Sequence, residues 1–218
     1  MPPPRRRLGP DERRAQLLAV GALLFARRPY EEVSMGGVAE EAGISRALLY
    51  RHFAGKQELF AAVYRQAIDG LLERVPLDRP GDLVGQLLDG LDVHLDYFVA
   101  HRNTVLAANR VLAGDPVVQT IIDGELDVLR NRLLDVLPLT DDSVRAAVAA
   151  VLKSWLVFVR VICLDWLTEE TCTRTELRDA CAGALLGALR PFVPPSVPAS
   201  LPPASVPPFL DPGSVSPG

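Results

Sequence analysis

Residues 34–53 constrain the fold of this chain more than any other stretch, because they combine two helix starts with a tight turn between them. Ser34 and Ser45 each stand where a hydroxyl can accept a hydrogen bond from the first backbone N–H groups of a helix. Gly43 lies between the two helical segments, where a backbone with positive φ favours a residue without a Cβ. The pattern therefore predicts a helix, a short turn and a second helix over residues 46–53.

The second of these helices is predicted to bury one face and to expose an unusually basic one. Leu49 and Phe53 are four residues apart and would point inward. The other side chains are left to face outward: Arg46, Ala47, Leu48, Tyr50, Arg51 and His52. Arginine can donate two hydrogen bonds to guanine, and alanine or leucine can touch a thymine methyl group, so this face suits the major groove of DNA. Leu48 could instead belong to the core, and Arg51 could be an ordinary surface charge.

This stretch resembles the N-terminal DNA-binding domain of TetR/AcrR-type transcriptional regulators. The resemblance rests on motifs in register with Phe25 and the Tyr30–Val33 turn upstream: Ala42-Gly43-Ile44-Ser45, Leu49-Tyr50-Arg51-His52-Phe53 and Lys56. It covers roughly residues 10–60, and beyond them the chain is similar to the family only in being helical and apolar.

The resemblance also implies how the motif contacts DNA. Tyr50 and His52 would touch the DNA backbone, which fixes the register of the protein without reading sequence. Lys56 begins the next helix, where its charge adds to the positive end of the helix dipole and suits a phosphate. The full set of predicted DNA-binding residues is Ser34, Ser45, Arg46, Ala47, Leu48, Tyr50, Arg51, His52 and Lys56.

Two features depart from the family pattern. Ala47 stands where many relatives have glycine, so the helix gains propensity while its backbone approaches DNA less closely. Gly36 and Gly37 lie inside the first helix of the motif, where relatives usually have larger side chains and each glycine costs about 1 kcal/mol relative to alanine. We therefore expect this helix to be loose before DNA binds.

Charge is divided unevenly along the chain. Residues 1–56 contain ten Lys and Arg against six Asp and Glu, whereas the remaining residues contain thirteen against twenty-one. A basic segment followed by an acidic remainder is typical of a protein that places only one end on nucleic acid. The alternative is that the N-terminal arginines only keep the chain in solution.

The composition favours a globular cytoplasmic protein. Of the 218 residues, 49% are hydrophobic. No apolar run reaches membrane-spanning length without a charge, so no transmembrane helix is expected. The N-terminus lacks the apolar segment of a secretory signal. The three cysteines are odd in number and lack metal-ligand spacing, so they are expected to be reduced thiols, and no metal or cofactor is predicted.

Helix starts and proline breaks predict an all-α protein of about nine helices. The first is expected over Pro10–Arg27, with Leu18, Ala22 and Phe25 recurring at helical spacing. Beyond the motif, helices are expected over about 56–75, 82–100, 103–113, 116–136, 142–167 and 174–190.

Four segments are predicted along the chain. A disordered basic arm covers residues 1–9, and a three-helix helix-turn-helix domain covers 10–56. A helical-bundle ligand-binding and dimerisation domain covers 57–190. Ten prolines in the last 28 residues predict a disordered tail over 191–218.

One short recognition helix rarely suffices, so a homodimer on a pseudo-palindromic operator in double-stranded DNA is expected. The last predicted helix carries a stripe of small residues: Ala180, Gly183, Ala184 and Gly187. With the preceding long helix, this stripe would form a four-helix interface across a two-fold axis. Some of these residues could instead pack within the protomer.

The resemblance further implies a small-molecule effector bound in the second domain. Polar and aromatic candidates lie there among apolar neighbours: His94, Tyr97, Phe98, Asn109, Gln119, Trp155, Phe158, Arg160 and Trp166. Such a cavity suits a hydrophobic or amphipathic molecule. Arg160 is the strongest candidate, since a buried cation needs an anionic partner: Asp165, Asp127 or a carboxylate of the ligand.

These features favour a sequence-specific transcriptional regulator, expected to be a repressor that the effector releases from its operator. No phosphate-binding glycine loop, nucleophile elbow or paired metal-ligand motif is present, so an enzyme is not expected. The alternative is a helical small-molecule-binding dimer with little or no sequence-specific DNA binding. Its only support is the Gly36-Gly37 pair.

Overall fold

The computed structural model describes residues 9–76 and 83–192, and all regular structure in these ranges is helical. The α-helices are α1 (Pro10–Arg27), α2 (Met35–Glu41), α3 (Arg46–His52), α4 (Lys56–Arg74), α5 (Leu83–Ala100), α6 (Arg102–Leu106), α7 (Pro116–Val136), α8 (Asp142–Glu169) and α9 (Arg174–Leu189). The predicted all-α class is confirmed. The expected basic arm and proline-rich tail fall almost wholly on residues 1–8 and 193–218, which lie outside the described residues.

Most helices begin where the sequence predicted, because local capping groups determine their starts. Pro10 is the first residue of α1, where a missing N–H costs no helical hydrogen bond. The Asp141 carboxylate accepts hydrogen bonds from two early backbone N–H groups of α8. Thr173 and Glu176 form a capping box at the start of α9.

The segment after α5 differs from the single helix expected over residues 103–113. Here α6 is followed directly by a π-helical turn over Ala107–Val111, in which the Leu112 N–H donates to the Ala107 carbonyl at 2.9 Å. A π turn holds one more residue than an α turn, and such a local change leaves no mark in the hydrophobic pattern.

Contacts between residues group the chain into two units. The first contains residues 9–73 and 98–125, and the second contains residues 74–76, 83–97 and 126–192. Within the first unit, Phe25 of α1 and Phe60 of α4 meet edge to face with ring centroids 5.1 Å apart. This aromatic contact ties together the two long helices that carry the short α2 and α3.

The buried face of α1 differs by one residue from the predicted one. Leu17, Gly21 and Phe25 are buried, whereas Ala22 is exposed and Leu18 is only half-buried. The reason lies at Gly21, where an added Cβ would be 3.1 Å from Val63 and 3.3 Å from Leu59 of α4. The two helices approach closely at this glycine, and a pattern search for large apolar residues does not detect such a position.

In the second unit, α8 packs against α9. The indole N–H of Trp155 donates to the Cys181 carbonyl at 2.8 Å. Arg174 of α9 forms ion pairs with Asp92 and Asp96 of α5, at 2.6 and 2.7 Å. By length and composition alone α8 could also cross a membrane, although the sequence had predicted no such helix. Core helices meet the same criterion, and the buried face of α8 contacts α9 here.

Candidate nucleic-acid interface

The motif of residues 34–53 folds as two capped helices around a glycine turn. The Ser34 hydroxyl accepts a hydrogen bond from the Gly37 N–H at 3.1 Å, and the Ser45 hydroxyl accepts one from the Leu48 N–H at 3.2 Å. Gly43 has a φ of 65°, in the left-handed region that favours glycine. Both serines therefore serve as helix caps, and each remains exposed beside α2 or α3.

Leu49 of α3 and Phe53, the residue that follows this helix, are almost completely buried. The exposed side chains of α3 are Arg46, Ala47, Tyr50 and Arg51, while Leu48 and His52 are half-buried. Tyr50 is 51% exposed, a large fraction for a tyrosine that carries both a ring and a hydroxyl. The face that remains can offer guanidinium donors, a phenol and small apolar groups to a DNA groove.

Lys56 has structural partners that the sequence did not indicate. Its Nζ donates to the Tyr30 carbonyl at 2.9 Å and lies 4.1 Å from the centroid of the Tyr30 ring. Tyr30 in turn stacks on Phe25. Lys56 thus holds the turn between α1 and α2 while placing a positive charge at the start of α4.

Two α1 residues that the sequence analysis missed support the motif. The Arg14 guanidinium carbon lies 4.7 Å from the centroid of the Phe53 ring, at the end of α3. The Gln16 side-chain amide donates to the Ala42 carbonyl at 3.3 Å, at the end of α2. These contacts hold α2 and α3 against α1. No local pattern marks them, since each joins residues far apart in sequence.

The predicted ligand-binding residues are not all brought together. Trp155, Arg160 and His94 line a cavity in the second unit, whose other walls are almost entirely apolar and include Leu87, Leu91 and Leu133. Burial, and next the charge of Arg160, lower the pKa of His94 to about 3. At neutral pH the cavity therefore holds one cation and one neutral imidazole.

The other six candidates lie elsewhere. Tyr97 and Phe98 are buried. Among the polar ones, Asn109 donates to the Val105 carbonyl, Gln119 to that of Leu112 and Trp166 to that of Cys172. Phe158 is 40% exposed on the outer face of α8. Each of the three polar side chains has a hydrogen bond to the protein backbone.

The small-residue stripe of α9 is exposed in the protomer. Ala180, Gly183, Ala184 and Gly187 all face outward, and an added Cβ at either glycine would meet no atom within 4 Å. Next to it, α8 exposes large apolar side chains: Val157, Phe158 and Val161. We call this the outer face of α8 and α9. A shallow groove on it is lined from both helices, by Ser154 and Phe158 on one side and Ala184 and Ala188 on the other.

Comparison with known proteins agrees with this geometry. The family model of the bacterial regulatory proteins of the tetR family matches residues 17–63. The chain is 42% identical over 69 residues to the HTH-type transcriptional activator FasR of Mycolicibacterium smegmatis. It is 30% identical over 126 residues to the nucleoid occlusion factor SlmA of Alteromonas mediterranea. These matches cover 32% and 56% of this chain, and 32% and 58% of the two relatives.

The likeness in fold extends further than the likeness in sequence. The crystal structure of a tetR-family transcriptional regulator from Streptomyces coelicolor matches with a TM-score of 0.75 and 29% identity, over 85% of this chain and 83% of that one. The N-terminal part of the chain is therefore a helix-turn-helix DNA-binding domain. Residues 17–63 are therefore a domain of the tetR family of bacterial regulatory proteins, and the chain shares the fold of a solved tetR-family regulator. The proteins it matches here are transcriptional regulators and a nucleoid occlusion factor, in keeping with the expectation of a regulator rather than an enzyme.

Proposed function

We propose that this protein is a cytoplasmic, homodimeric transcriptional regulator that binds a pseudo-palindromic operator through α3. The observation that carries the proposal is the exposed face of α3, with two arginines and a tyrosine above a fully buried Leu49. A recognition helix needs cations for phosphates and a few side chains for base edges. This face supplies both.

Selection from random duplex DNA at fixed, moderate salt tests the proposal. We expect the purified protein to enrich a pseudo-palindrome whose half-sites lie about one helical turn apart, as two recognition helices require. Arg46→Ala should relax the base preference at one base pair in each half-site. Arg51→Lys keeps the positive charge and should therefore retain affinity for the DNA backbone. Weak binding to every sequence, with an affinity that falls steeply as salt is added, would instead mean that the basic face of α3 is only an electrostatic patch.

Dimerisation is proposed through the outer face of α8 and α9. Small residues on α9 allow close approach of a second backbone, and the exposed side chains of Val157, Phe158 and Val161 supply apolar area. Two such helices from each protomer make a four-helix interface around a two-fold axis.

An effector is proposed to bind the cavity lined by His94 and Arg160. This cavity has a volume of only about 50 Å³, whereas ligand sites usually have about 300 Å³ or more. A ligand must therefore select a conformation in which the surrounding helices stand further apart. Because the ligand binds the expanded conformation more tightly, it increases the population of that conformation. DNA affinity then falls if α3 is displaced in the expanded conformation.

The effector is proposed to be an amphipathic anion, and the residues that line the cavity support this. Arg160 provides the positive charge in a lining that is otherwise apolar apart from His94 and Trp155. A second apolar cavity of about 50 Å³ shares Leu87 and Leu133 with the first and continues past Leu152 and Leu185. We propose that the charged end of the ligand lies near Arg160 and that its apolar chain displaces Leu87 and Leu133 to enter the second cavity.

Thermal unfolding with straight-chain carboxylates, and with alcohols of equal length, tests this assignment. Carboxylates should stabilise the wild type more than the alcohols, and longer chains more than short ones, by mass action on the folded state. Arg160→Met should remove the preference for the acid, and Arg160→Lys should keep part of it. Equal stabilisation by acids and alcohols in the wild type would contradict the role of Arg160.

The direction of regulation is proposed to be repression, with effector binding releasing the operator. FasR, to which the chain is 42% identical over 69 residues, is named a transcriptional activator. A reporter gene behind the selected operator, measured with and without the protein, distinguishes repression from activation. The second candidate is a small-molecule-binding dimer that no longer reads DNA. Its support was the Gly36-Gly37 pair, and Gly36 proves to have a definite contact in this structure.

A further inference from the structure

Gly36 of α2 lies directly beneath the side chain of Arg46, the first residue of α3. A Cβ added at Gly36 would be 2.5 Å from a terminal nitrogen of Arg46 and 2.9 Å from its guanidinium carbon. Real Cβ contacts essentially never occur at such distances. The guanidinium therefore occupies the space that any other residue at position 36 would fill.

The Arg46 head group lies against α2 at this glycine. Within the described residues, no hydrogen bond or ion pair holds the Arg46 side chain, which is exposed. Its guanidinium rests on the backbone of α2 and keeps its N–H donors for an external acceptor. An arginine that kept this resting place would lose less conformational freedom on binding than one that is free to rotate.

The neighbouring glycine has no such contact. A Cβ at Gly37 would lie 3.5 Å from the Ser34 hydroxyl, an ordinary van der Waals distance, with no other atom within 4 Å. Both glycines lie in α2, and each costs about 1 kcal/mol of helix stability relative to alanine. Only Gly36 gains a contact that explains this cost.

We propose that Gly36 is a positioning residue for DNA recognition, which seats Arg46 so that its guanidinium meets one defined guanine in each half-site. The inference rests on the proposed function, because it presumes that α3 reads DNA. Arginine donates to the O6 and N7 atoms of guanine, and this bidentate contact depends on where the planar head group lies. An alanine at position 36 moves the head group without removing it.

The test compares base preferences of four proteins by selection from random duplexes and by titration of the enriched site. The proteins are the wild type, Gly36→Ala, Gly37→Ala and Arg46→Ala. Gly36→Ala should lower the preference at the base pair that Arg46→Ala relaxes, by about tenfold, which corresponds to the loss of one good bidentate contact. Gly37→Ala should keep the wild-type preference. In the Arg46→Ala background, Gly36→Ala should have no further effect, since the group it moves is gone.

A folding measurement separates this role from a structural one. Displacement of a flexible side-chain end is cheap, so Gly36→Ala and Gly37→Ala should both unfold at the wild-type denaturant concentration or above it. An unchanged base preference in Gly36→Ala would overturn this inference but leave the proposed function standing. So would a uniform loss of affinity for all sequences, which would mean that Arg46 contacts phosphate. Failure of the wild type to enrich any sequence would overturn the proposed function together with this inference.

Discussion

At the scale of single residues, three glycines of the first unit perform three different physical tasks. Gly21 lets α1 and α4 approach, Gly36 leaves space for the Arg46 head group, and Gly43 adopts a positive φ between α2 and α3. Only the role of Gly43 could be predicted from the sequence, because turn conformation is local. The other two depend on atoms that come near only in the folded chain.

Gly43→Ala should destabilise the protein by about 1 kcal/mol, because an L side chain in the left-handed region is strained even where space is free. Gly55→Ala is the matched control, since an added Cβ would meet no atom within 4 Å at either position and only Gly43 has positive φ. Chemical denaturation of both variants measures the difference. Equal unfolding free energies for the two would show that the turn relaxes without cost.

The lowered pKa of His94 in the cavity predicts a loss of stability in mild acid. Its pKa is about 3 in the folded protein, against 6.5 for an unperturbed histidine, so below about pH 6.5 the unfolded chain binds a proton that the folded chain does not. The free energy of unfolding should therefore fall as the pH decreases through this window, by up to about 1.4 kcal/mol per unit. His94→Gln, which cannot take up this proton, should show a flatter dependence in denaturant titrations between about pH 7 and pH 5. Parallel curves for the two proteins would refute the assignment.

At the scale of elements, the helix starts were predictable and the helix faces were less so. Pro10, Asp141 and Thr173 each determine a helix start through contacts within four residues, which a sequence shows directly. The buried face of α1 was predicted one residue away, because it depends on α4. The structural role of Lys56 was also not predictable, since its partner Tyr30 is 26 positions away.

The capping box of α9 provides a test at this scale. The Thr173 hydroxyl accepts from the Glu176 N–H at 3.2 Å, and the Glu176 carboxylate accepts from the Thr173 N–H at 2.8 Å. Thr173→Ala should lower the free energy of unfolding by about 1 kcal/mol, as loss of a side-chain cap does. Thr173→Ser keeps the hydroxyl and should stay close to the wild type. If alanine and serine unfold alike, the cap contributes nothing measurable.

At the scale of the whole molecule, the sequence predicted the class of fold and the helix-turn-helix motif better than the set of residues that line the cavity. The motif over residues 34–53 is local and contiguous, so its capping, turn and exposed face could all be read from residue order. The cavity draws His94, Arg160 and Leu129 from three different helices. A list of polar residues among apolar neighbours therefore contained residues that line the cavity together with Asn109, Gln119 and Trp166, whose side chains donate hydrogen bonds to nearby backbone carbonyls.

The proposed dimer can be tested by placing a charge in its interface. Gly187→Glu places a charge on the outer face of α8 and α9 at a position with open space, so the protomer should fold while its association fails, since a buried unpaired charge is costly. Gly124→Glu is the matched control, because Gly124 is equally open but lies on α7. Sedimentation should show the wild type and the control as dimers and Gly187→Glu as a monomer. Operator affinity should fall about a hundredfold or more in the monomer, because the two half-sites no longer bind together. A Gly187→Glu variant that remains dimeric would place the interface elsewhere on the protein.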